Sequence, residues 1–385
     1  MSQVVLYVNP TAVHGGAEEV LLHIMSAARE LGYQPVLVVP KMGWLTEQCE
    51  AKNIPVELLP SLPDAITNDN WKQQLRPWLP NAYAMARLVR KWRAVLVHSN
   101  TPRASYHGGL GARLARVAAV THVHDMISLP YRSALKGRLL SALADRTLTV
   151  SSAVEQMVGS FLPQLRPRLQ TLYNGWDVSL YAKVTACDLK LAFGIPQDCF
   201  VIGNVSVMSA MKGQDVLIEA FRQLYRHAPQ TRLLIVGGSQ GNERQAKYEA
   251  KLHQQVAEYG LQEAVVFAGW REDAWEIIKS LDLFVHTPTD FDSLPTVLLH
   301  ASALGRAIVA SQIGGIPEIV LADVSGLIVP PRDVNSLHHA LATLINDPLR
   351  RLQLGQQAHL HFKRRFSRQQ LIEGLSVAYQ KCLTR

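Results

Sequence analysis

Cysteine is scarce in this sequence, and long apolar segments are lacking. Of the 385 residues, four are cysteine (Cys49, Cys187, Cys199 and Cys382), and their spacing does not match that of a metal site. We therefore expect reduced thiols in a cytosol rather than a disulfide framework. Because no run of about 18 apolar residues occurs, no membrane-spanning helix is expected. The first residues have neither a basic lead nor a cleavage site, so no secretory signal is expected.

Repeats of solenoid length and low-complexity tracts are also lacking, and basic residues outnumber acidic ones. With 39 Lys and Arg against 31 Asp and Glu, the formal net charge is +8. Such an excess favours nucleotides, nucleic acid or an anionic membrane surface as partners, or it only aids solubility. Because no nucleic-acid-binding module is recognised, we expect no direct binding of nucleic acid.

Apolar runs of strand length alternate with helical patterns along the whole chain. Runs at residues 4–9 and 36–39 begin the first series, and runs at residues 200–205 and 233–238 begin a second. This alternation predicts the α/β class, with two doubly wound parallel sheets. The pattern breaks after an Asn-Gly turn near residue 175. We therefore place residues 1–178 in one domain and 179–365 in a second, with 366–385 as a last helix.

Residues 290–305 carry the strongest indication of a ligand site. They follow an apolar strand, turn and open a helix. The N–H groups around Thr296 and Val297 then suit an anion, helped by the positive end of the helix dipole. With the carboxylate of Asp292 and the imidazole of His300, the stretch fits phosphate and sugar hydroxyl groups. The alternative is an ordinary strand-to-helix turn that binds nothing.

Two strand ends in the first half are further candidates. Gly15 and Gly16 follow the first strand and open a helix, so the backbone could approach a ligand closely, although tight turns also use glycine for steric reasons alone. His124 ends a strand at the carboxyl edge of the predicted sheet, where open α/β sheets bind ligands. A structural hydrogen bond with the neighbouring Asp125 is the alternative.

Two segments of the first half are basic. Residues 87–93 end a predicted helix with three arginines, a lysine and Trp92, and residues 131–138 add further cations. A basic helix with tryptophan suits an anionic lipid surface. Cations at a helix end are also common on an ordinary solvated face, so both interpretations stay open.

The candidate motifs occur in an order that resembles the family-4 nucleotide-sugar glycosyltransferases (group 1), which have the GT-B fold. In chain order they are Gly15-Gly16-Ala17-Glu18, His124-Asp125, Asn174-Gly175-Trp176-Asp177, Lys212-Gly213, Gly237, Gly269-Trp270, Asp282, Asp292 with His300, and Gly314-Gly315-Ile316-Pro317-Glu318. The resemblance covers nearly the whole chain. It implies two Rossmann-like domains that face a cleft, with the last helix packing back on the first domain.

The resemblance also implies an activity. Family members carry out a retaining, metal-independent transfer of a sugar from a nucleoside-diphosphate sugar to a hydroxyl acceptor, without a cofactor. The expected partners are that donor, a glycan or lipid-linked acceptor, and an anionic membrane surface. The expected setting is glycan, polysaccharide or glycolipid biosynthesis in the cytoplasm, at the inner face of the membrane.

Roles for individual residues follow from the same resemblance. Lys212 would hold the diphosphate, Asp292 would bind sugar hydroxyl groups, and His124 would face the donor sugar and the acceptor. These three are the expected catalytic residues, and no metal ligands are expected. The expected donor-binding residues are Gly15, Gly16, Asn174, Gly237, Trp270, Arg271, Leu294, Pro295, Thr296, Val297, His300 and Glu318.

Two positions depart from the family pattern. Val207 stands where an arginine is usual, and His300 stands where a glutamate is usual. Losing a charge-assisted contact to phosphate typically costs about 1.5–3 kcal/mol, unless another cation such as Arg103, Arg244 or Arg271 replaces it. The departures motivate an alternative, a non-catalytic relative that acts as a binding or scaffold subunit. A different sugar-nucleotide enzyme, such as an epimerase or a phosphorylase, agrees less well with the motif order.

Overall fold

The computed structural model describes residues 2–63, 78–125, 134–239 and 241–384. The chain divides into two compact units. The first unit consists of Met1–Trp176 and Phe366–Arg385, and the second consists of Asp177–Arg365.

The first unit contains a parallel sheet with seven strands in the described residues. They are β1 (Gln3–Val8), β2 (Tyr33–Val39), β3 (Val56–Leu58), β4 (Ala94–Ser99), β5 (Ala118–Val123), β6 (Arg146–Thr149) and β7 (Leu169–Thr171). Their spatial order is β3-β2-β1-β4-β5-β6-β7. The order reverses between β1 and β4, so a crevice at the carboxyl ends of these two strands is the expected ligand position. The short edge strand β3 was not predicted from sequence.

The helices of this part are α1 (Gly16–Glu30), α2 (Trp44–Ala51), α3 (Trp78–Trp92), α4 (Pro102–Ala115), α5 (Ala134–Leu143) and α6 (Ser152–Phe161), followed by a 3-10 helix (Pro163–Arg168). From the sequence alone, the polar residues 100–107 predict a loop and residues 108–115 predict a helix, and the structure shows that this start is wrong. Thr101 caps α4 by accepting a hydrogen bond from the N–H of Ala104, and Pro102 occupies the first turn. Both residues favour a helix start, so α4 begins six residues earlier than expected.

The second unit contains a parallel sheet with six strands in the described residues. They are β8 (Phe200–Val205), β9 (Thr231–Val236), β10 (Val265–Gly269), β11 (Leu283–His286), β12 (Ile308–Ser311) and β13 (Leu327–Val329). Their spatial order is β10-β9-β8-β11-β12-β13, which reverses between β8 and β11. The helices are α7 (Val178–Lys183), α8 (Leu189–Phe193), α9 (Gln214–Tyr225), α10 (Glu243–Glu258), α11 (Ala274–Ser280), α12 (Thr296–Ala303), α13 (Ile316–Ile319), α14 (Val334–Asn346) and α15 (Pro348–Arg365).

Both sheets are buried along successive residues of their central strands. In β1 every residue after Gln3 is buried, and in β11 all four residues are buried. Neighbouring residues of a strand point to opposite faces, so burial of both indicates that helices cover both faces. The two parallel sheets confirm the predicted α/β fold class.

The last helix, α16 (Arg368–Leu383), packs within the first unit. The hydroxyl group of Tyr379 on this helix lies 2.8 Å from the hydroxyl group of Tyr7 on β1. It also lies 2.8 Å from Nδ1 of His98 on β4. These buried hydrogen bonds join the end of the chain to the two central strands of the first sheet.

The basic end of α3 is partly engaged with β3. Lys91 forms an ion pair with Glu57 at 2.6 Å, and Nε1 of Trp92 donates to the same carboxylate at 2.7 Å. Trp92 is therefore half-buried, whereas Arg87 and Arg90 are exposed. In the second basic segment, residues 131–133 lie outside the described residues. None of the helices in the described ranges combines the length and apolar composition needed to cross a bilayer.

Candidate functional site

A group of three side chains, here called the lysine–aspartate cluster, lies at the reversal point of the second sheet. It consists of Lys212, His286 and Asp292. Lys212 ends a 3-10 turn that follows β8, and Asp292 lies in the loop that follows β11. The Lys212 Nζ atom donates to Oδ2 of Asp292 at 2.6 Å. Two candidates that are 80 residues apart in the sequence are thus in direct contact.

His286, which the sequence interpretation missed, completes this cluster. It is the last residue of β11, it is fully buried, and its Nε2 atom donates to the same Oδ2 of Asp292 at 3.0 Å. Burial alone would raise the pKa of Asp292. The hydrogen bond from His286 and the charge of Lys212 outweigh burial and hold that pKa well below its usual range. Asp292 is therefore a permanent carboxylate at neutral pH.

Two glycines allow the loops that carry this cluster to approach each other closely. Gly213 follows Lys212 with φ +66°, and a Cβ atom there would lie 2.0 Å from the carbonyl oxygen of Thr287. Gly314 has φ +57°, and its Cβ atom would lie 2.0 Å from the carbonyl oxygen of Asp292. Both conformations favour glycine, and both approaches exclude any larger residue. Gly213 and Gly314 are therefore required by the local backbone, whether or not they also contact a ligand.

The start of α12 supplies backbone donors next to the cluster. Helix α12 begins at Thr296, with Pro295 at the capping position rather than inside the helix. Thr296 and Val297 are half-buried, and Leu294 is buried. The first N–H groups of a helix have no acceptor within it, so an anion can accept from them. This start therefore suits a phosphate group.

His300 lies in a separate aromatic environment within the second unit. It is 6% exposed, and its Nδ1 atom lies 2.7 Å from the hydroxyl group of Tyr181 on α7. Its ring centroid lies 5.2 Å from that of Trp275 on α11. Neither Tyr181 nor Trp275 was predicted as a partner of His300. Tyr181, for example, is 119 residues away in the sequence. One ring nitrogen of His300 is thus already engaged in the protein.

The remaining donor-side candidates differ in their surroundings. Gly237 has φ +138°, and a Cβ atom would lie 1.9 Å from the carbonyl oxygen of Ser206, so glycine is required there. Trp270 is 48% exposed. Half-buried Glu318 accepts a hydrogen bond at its main-chain oxygen from His361 at 2.9 Å.

Of the cations considered as replacements at Val207, Arg271 is already paired. Its Nε and Nη2 atoms donate to the two carboxylate oxygens of Asp273 at 2.8 and 2.7 Å. Arg103 lies in the first turn of α4 in the first unit, and Arg244 is exposed at the start of α10.

A second group, here called the asparagine–histidine chain, lies in the first unit. It consists of Glu18, Asn9, Asn100 and His124. Asn9, Asn100 and His124 directly follow β1, β4 and β5, which are neighbours in the sheet. The Nε2 atom of His124 lies 2.8 Å from Oδ1 of Asn100, whose Nδ2 atom donates to Oδ1 of Asn9 at 3.0 Å. The partner of His124 is thus Asn100 and not Asp125.

Glu18 ends this chain beneath the glycine turn. Its Oε1 atom accepts from Nδ2 of Asn9 at 3.0 Å, and burial raises its pKa. A Cβ atom on Gly15 would lie 2.7 Å from Oε2 of Glu18, so glycine leaves room for that carboxyl group. Gly16 is the exposed first residue of α1. The asparagines were missed as site residues, although their position directly after adjacent strands was a usable signal.

The ring of His124 is buried and packs against a neighbouring histidine at a tilt. It is 8% exposed, and its ring centroid lies 4.2 Å from that of His122. Burial lowers the pKa of His124 to about 4. The side chain is therefore neutral at physiological pH, and it can donate with one nitrogen and accept with the other.

Asn174, also expected at the donor site, lies in the first unit. It is 3% exposed, and its Oδ1 atom has no hydrogen-bond partner among the residues that the structure describes. The next residue, Gly175, lies against Ser367, which precedes the last helix α16. A Cβ atom on Gly175 would lie 2.6 Å from the carbonyl oxygen of Ser367. In the described ranges, no three His, Cys, Asp or Glu side chains are grouped to hold a metal ion.

Comparison with known proteins gives matches across both units. The sequence model of "Glycosyl transferases group 1" matches residues 189–361, and that of "Glycosyltransferase Family 4" matches residues 14–180. A crystal structure of HepE from Anabaena in complex with UDP and glucose is similar over 98% of this chain and 99% of that chain, with a TM-score of 0.81 and 25% identity.

Two curated relatives extend the comparison. A D-inositol 3-phosphate glycosyltransferase of Stackebrandtia nassauensis is 30% identical over 217 residues, which cover 55% of this chain and 48% of that protein. A GDP-mannose-dependent monoacylated alpha-(1-6)-phosphatidylinositol monomannoside mannosyltransferase of Corynebacterium glutamicum is 28% identical over 306 residues, 76% of this chain and 77% of that protein. The chain spans about half the length of the inositol phosphate glycosyltransferases it matches.

These matches agree with the motif order and with the two parallel sheets. The family predicted from sequence is therefore confirmed: the chain belongs to the GT-B nucleotide-sugar glycosyltransferases, with a family-4 region in its first half and a group-1 region in its second.

Proposed function

We propose that this chain transfers a sugar from a nucleoside-diphosphate sugar to a hydroxyl acceptor, with retention at the anomeric carbon and without a metal ion. The observation that carries the proposal is the contact between Lys212 and Asp292 beside the start of α12. One cation, one carboxylate and the first N–H groups of a helix thus lie close together, and these groups match a diphosphate and sugar hydroxyl groups.

In the proposed reaction, the bond between the anomeric carbon and the diphosphate oxygen breaks, and a bond from the acceptor oxygen to the same face of that carbon forms. The acceptor proton passes to the leaving phosphate. Negative charge therefore develops on the phosphate, where Lys212 and the N–H groups of Thr296 and Val297 would stabilise it. Asp292 would accept hydrogen bonds from sugar hydroxyl groups, which orients the donor.

We propose a lipid-linked or glycan acceptor. The relative from Corynebacterium glutamicum is named for transfer to a phosphatidylinositol mannoside. On α3 of this chain, Arg87 and Arg90 are exposed, and Tyr83 and Leu79 are 61% and 73% exposed. Cations beside exposed apolar side chains suit the inner face of an anionic membrane. Co-sedimentation with vesicles of anionic lipid at low salt tests this, and no binding there would contradict it.

The experiment that tests the main proposal is calorimetric titration of the protein with UDP, GDP, ADP, CDP and TDP in turn. We expect one of them to bind, and the matching sugar nucleotides then to be consumed in transfer or slow hydrolysis. Lys212→Ala should weaken this binding strongly, because it removes the cation. Lys251→Ala is the control, because Lys251 is exposed and pairs weakly with Asp215 at 3.6 Å.

Equal nucleotide affinity in Lys212→Ala and in the wild type would contradict the assigned diphosphate site. If no nucleotide binds and no donor reacts, the proposal of an active transferase fails. The replacements at Val207 and His300 would then support the alternative of a non-catalytic binding subunit.

A further inference from the structure

Two main-chain carbonyl groups determine how the amides of the asparagine–histidine chain are oriented. Nδ2 of Asn9 donates to the carbonyl oxygen of Thr11 at 2.6 Å. Nδ2 of Asn100 donates to the carbonyl oxygen of Ala17 at 3.3 Å. A main-chain carbonyl can only accept, so each of these contacts requires the NH₂ end of the amide to face it.

The contact between the two amides agrees with this assignment. Nδ2 of Asn100 donates to Oδ1 of Asn9 at 3.0 Å, and Nδ2 of Asn9 donates to Oε1 of Glu18 at 3.0 Å. A rotated Asn9 would place its own oxygen against the carbonyl of Thr11 and against the Glu18 carboxyl group. The orientation of the two amides is therefore set by their contacts with Thr11, Ala17 and Glu18.

The oxygen of Asn100 is the group that remains for His124. Both hydrogens of its NH₂ group are used by Asn9 and Ala17, and Oδ1 lies 2.8 Å from Nε2 of His124. Because an amide oxygen cannot donate, Nε2 of His124 must carry the hydrogen. The other ring nitrogen, Nδ1, then carries a lone pair, and the 4.2 Å contact with His122 restricts rotation of the ring.

We propose that Asn100 and Asn9 are positioning residues that hold His124 as the neutral Nε2–H tautomer, so that Nδ1 accepts a hydrogen bond from a hydroxyl group of the sugar substrate. This rests on the proposed function for the identity of the substrate. With this tautomer, the substrate group that contacts Nδ1 of His124 must donate a hydrogen bond. A phosphate or carboxylate oxygen would meet a lone pair there and would be excluded.

The tautomer can be measured without any activity. In protein labelled with ¹⁵N-histidine, long-range nitrogen–proton correlation at pH 7 distinguishes the two tautomers, and His124→Gln assigns the signals. We expect a protonated Nε2 and an unprotonated Nδ1. A protonated Nδ1 in the wild type would overturn the proposal. This result stands whether or not the protein transfers a sugar.

Variants of Asn100 test whether this residue sets the tautomer. Asn100→Leu removes the acceptor, so the His124 signals should shift to a mixture of both forms. Asn100→Asp keeps an acceptor of similar size and adds a charge, so it should favour the doubly protonated ring. The control is Asn81→Leu, since Asn81 is also buried in the first unit and faces a different histidine, His107, at 3.4 Å. Unchanged His124 signals in both Asn100 variants would overturn the proposal.

Kinetics then tests whether Asn100 acts through His124. With the donor found by titration, Asn100→Leu should lower kcat for transfer about tenfold, the effect of one lost hydrogen bond, and leave the nucleotide Kd unchanged. In a His124→Ala background the same change should have no further effect. If Asn100→Leu lowers kcat by the same factor in the His124→Ala background as in the wild type, the positioning role is overturned. If the wild type transfers no sugar, the proposed function fails while the spectroscopic result remains.

A substrate analogue completes the test. A sugar in which fluorine replaces the hydroxyl group facing His124 can accept a hydrogen bond but cannot donate one. Because fluorine also slows the reaction by withdrawing electrons, we compare the two proteins: the analogue should lose about tenfold more kcat/KM with the wild type than with His124→Ala. Equal losses with both proteins would overturn the proposed direction of this hydrogen bond.

Discussion

His286 donates a hydrogen bond to the same carboxylate oxygen of Asp292 that accepts from Lys212. Within the described residues, all hydrogen bonds to this carboxylate fall on Oδ2, which leaves Oδ1 for a ligand. The aspartate side chain is short, and its Oδ2 atom is held by Lys212 and His286, so the position of the carboxylate depends on these neighbours. The buried imidazole therefore acts as a support for a residue expected to bind the sugar.

Replacing His286 should lower transfer without weakening nucleotide binding. His286→Leu removes the donor, and the loss of one hydrogen bond to a charged group corresponds to about 1.5–3 kcal/mol, or roughly tenfold to a hundredfold in kcat/KM. His286→Gln keeps an N–H donor of similar reach and should retain more activity. Steady-state kinetics with calorimetric Kd values checks this. Equal activity in the two variants would show that the donor is unimportant.

Neutralising Asp292 should separate nucleotide binding from transfer. In the unliganded protein Asp292 competes for Lys212, with side chains that are 13% and 25% exposed. Asp292→Asn removes that competition, so a nucleoside diphosphate alone should bind at least as tightly as to the wild type. Transfer should be nearly abolished, because a neutral amide orients the sugar hydroxyl groups less well. Weaker binding of the nucleotide in Asp292→Asn would contradict this competition.

Removing the Tyr181 hydroxyl group tests the environment of His300. Tyr181→Phe breaks the 2.7 Å contact with Nδ1 of His300 and keeps the ring that packs on Trp275. We expect a loss of about 1 kcal/mol in the free energy of unfolding, measured with urea. In a His300→Phe background the same change should cost less, since the partner is already gone. An equal cost in both backgrounds would show that this hydrogen bond contributes nothing.

The stability of the protein should fall steeply in mild acid. Burial lowers the pKa of His98 to about 3 and the pKa values of His107 and His124 to about 4. In the unfolded chain each titrates near 6.5, at about its ordinary value. Between these values the unfolded state binds more protons, so stability is complete above pH 6.5 and is lost as the pH falls toward 4. Urea midpoints at pH 7.5, 6 and 5 measure this loss.

His122 provides a variant for that experiment. Neither of its ring nitrogens has a hydrogen-bond partner among the described residues, and burial lowers its pKa strongly. His122→Leu removes an unsatisfied polar group, so the free energy of unfolding at pH 7 should rise by about 1 kcal/mol. The decrease between pH 6.5 and 5 should also become smaller. An unchanged decrease would show that His122 does not contribute to the acid sensitivity.

The sequence alone determined the class of fold and the family. Alternating strand and helix patterns depend on residues a few positions apart, so they can be recognised without the tertiary structure. The order of the motifs likewise needed no coordinates. Even the start of α4 was encoded locally in Thr101 and Pro102, although the interpretation overlooked it.

The tertiary structure alone decided which side chains meet. His286 and Lys212 share one oxygen of Asp292 because β8 and β11 are neighbours at the reversal of the second sheet. Asn100 reaches His124 because β4 and β5 are adjacent in the first. Such contacts depend on the order and register of strands that are joined by long crossovers. No local pattern specifies that order, so the residues that hold Asp292 and His124 in place became visible only once the chain was folded.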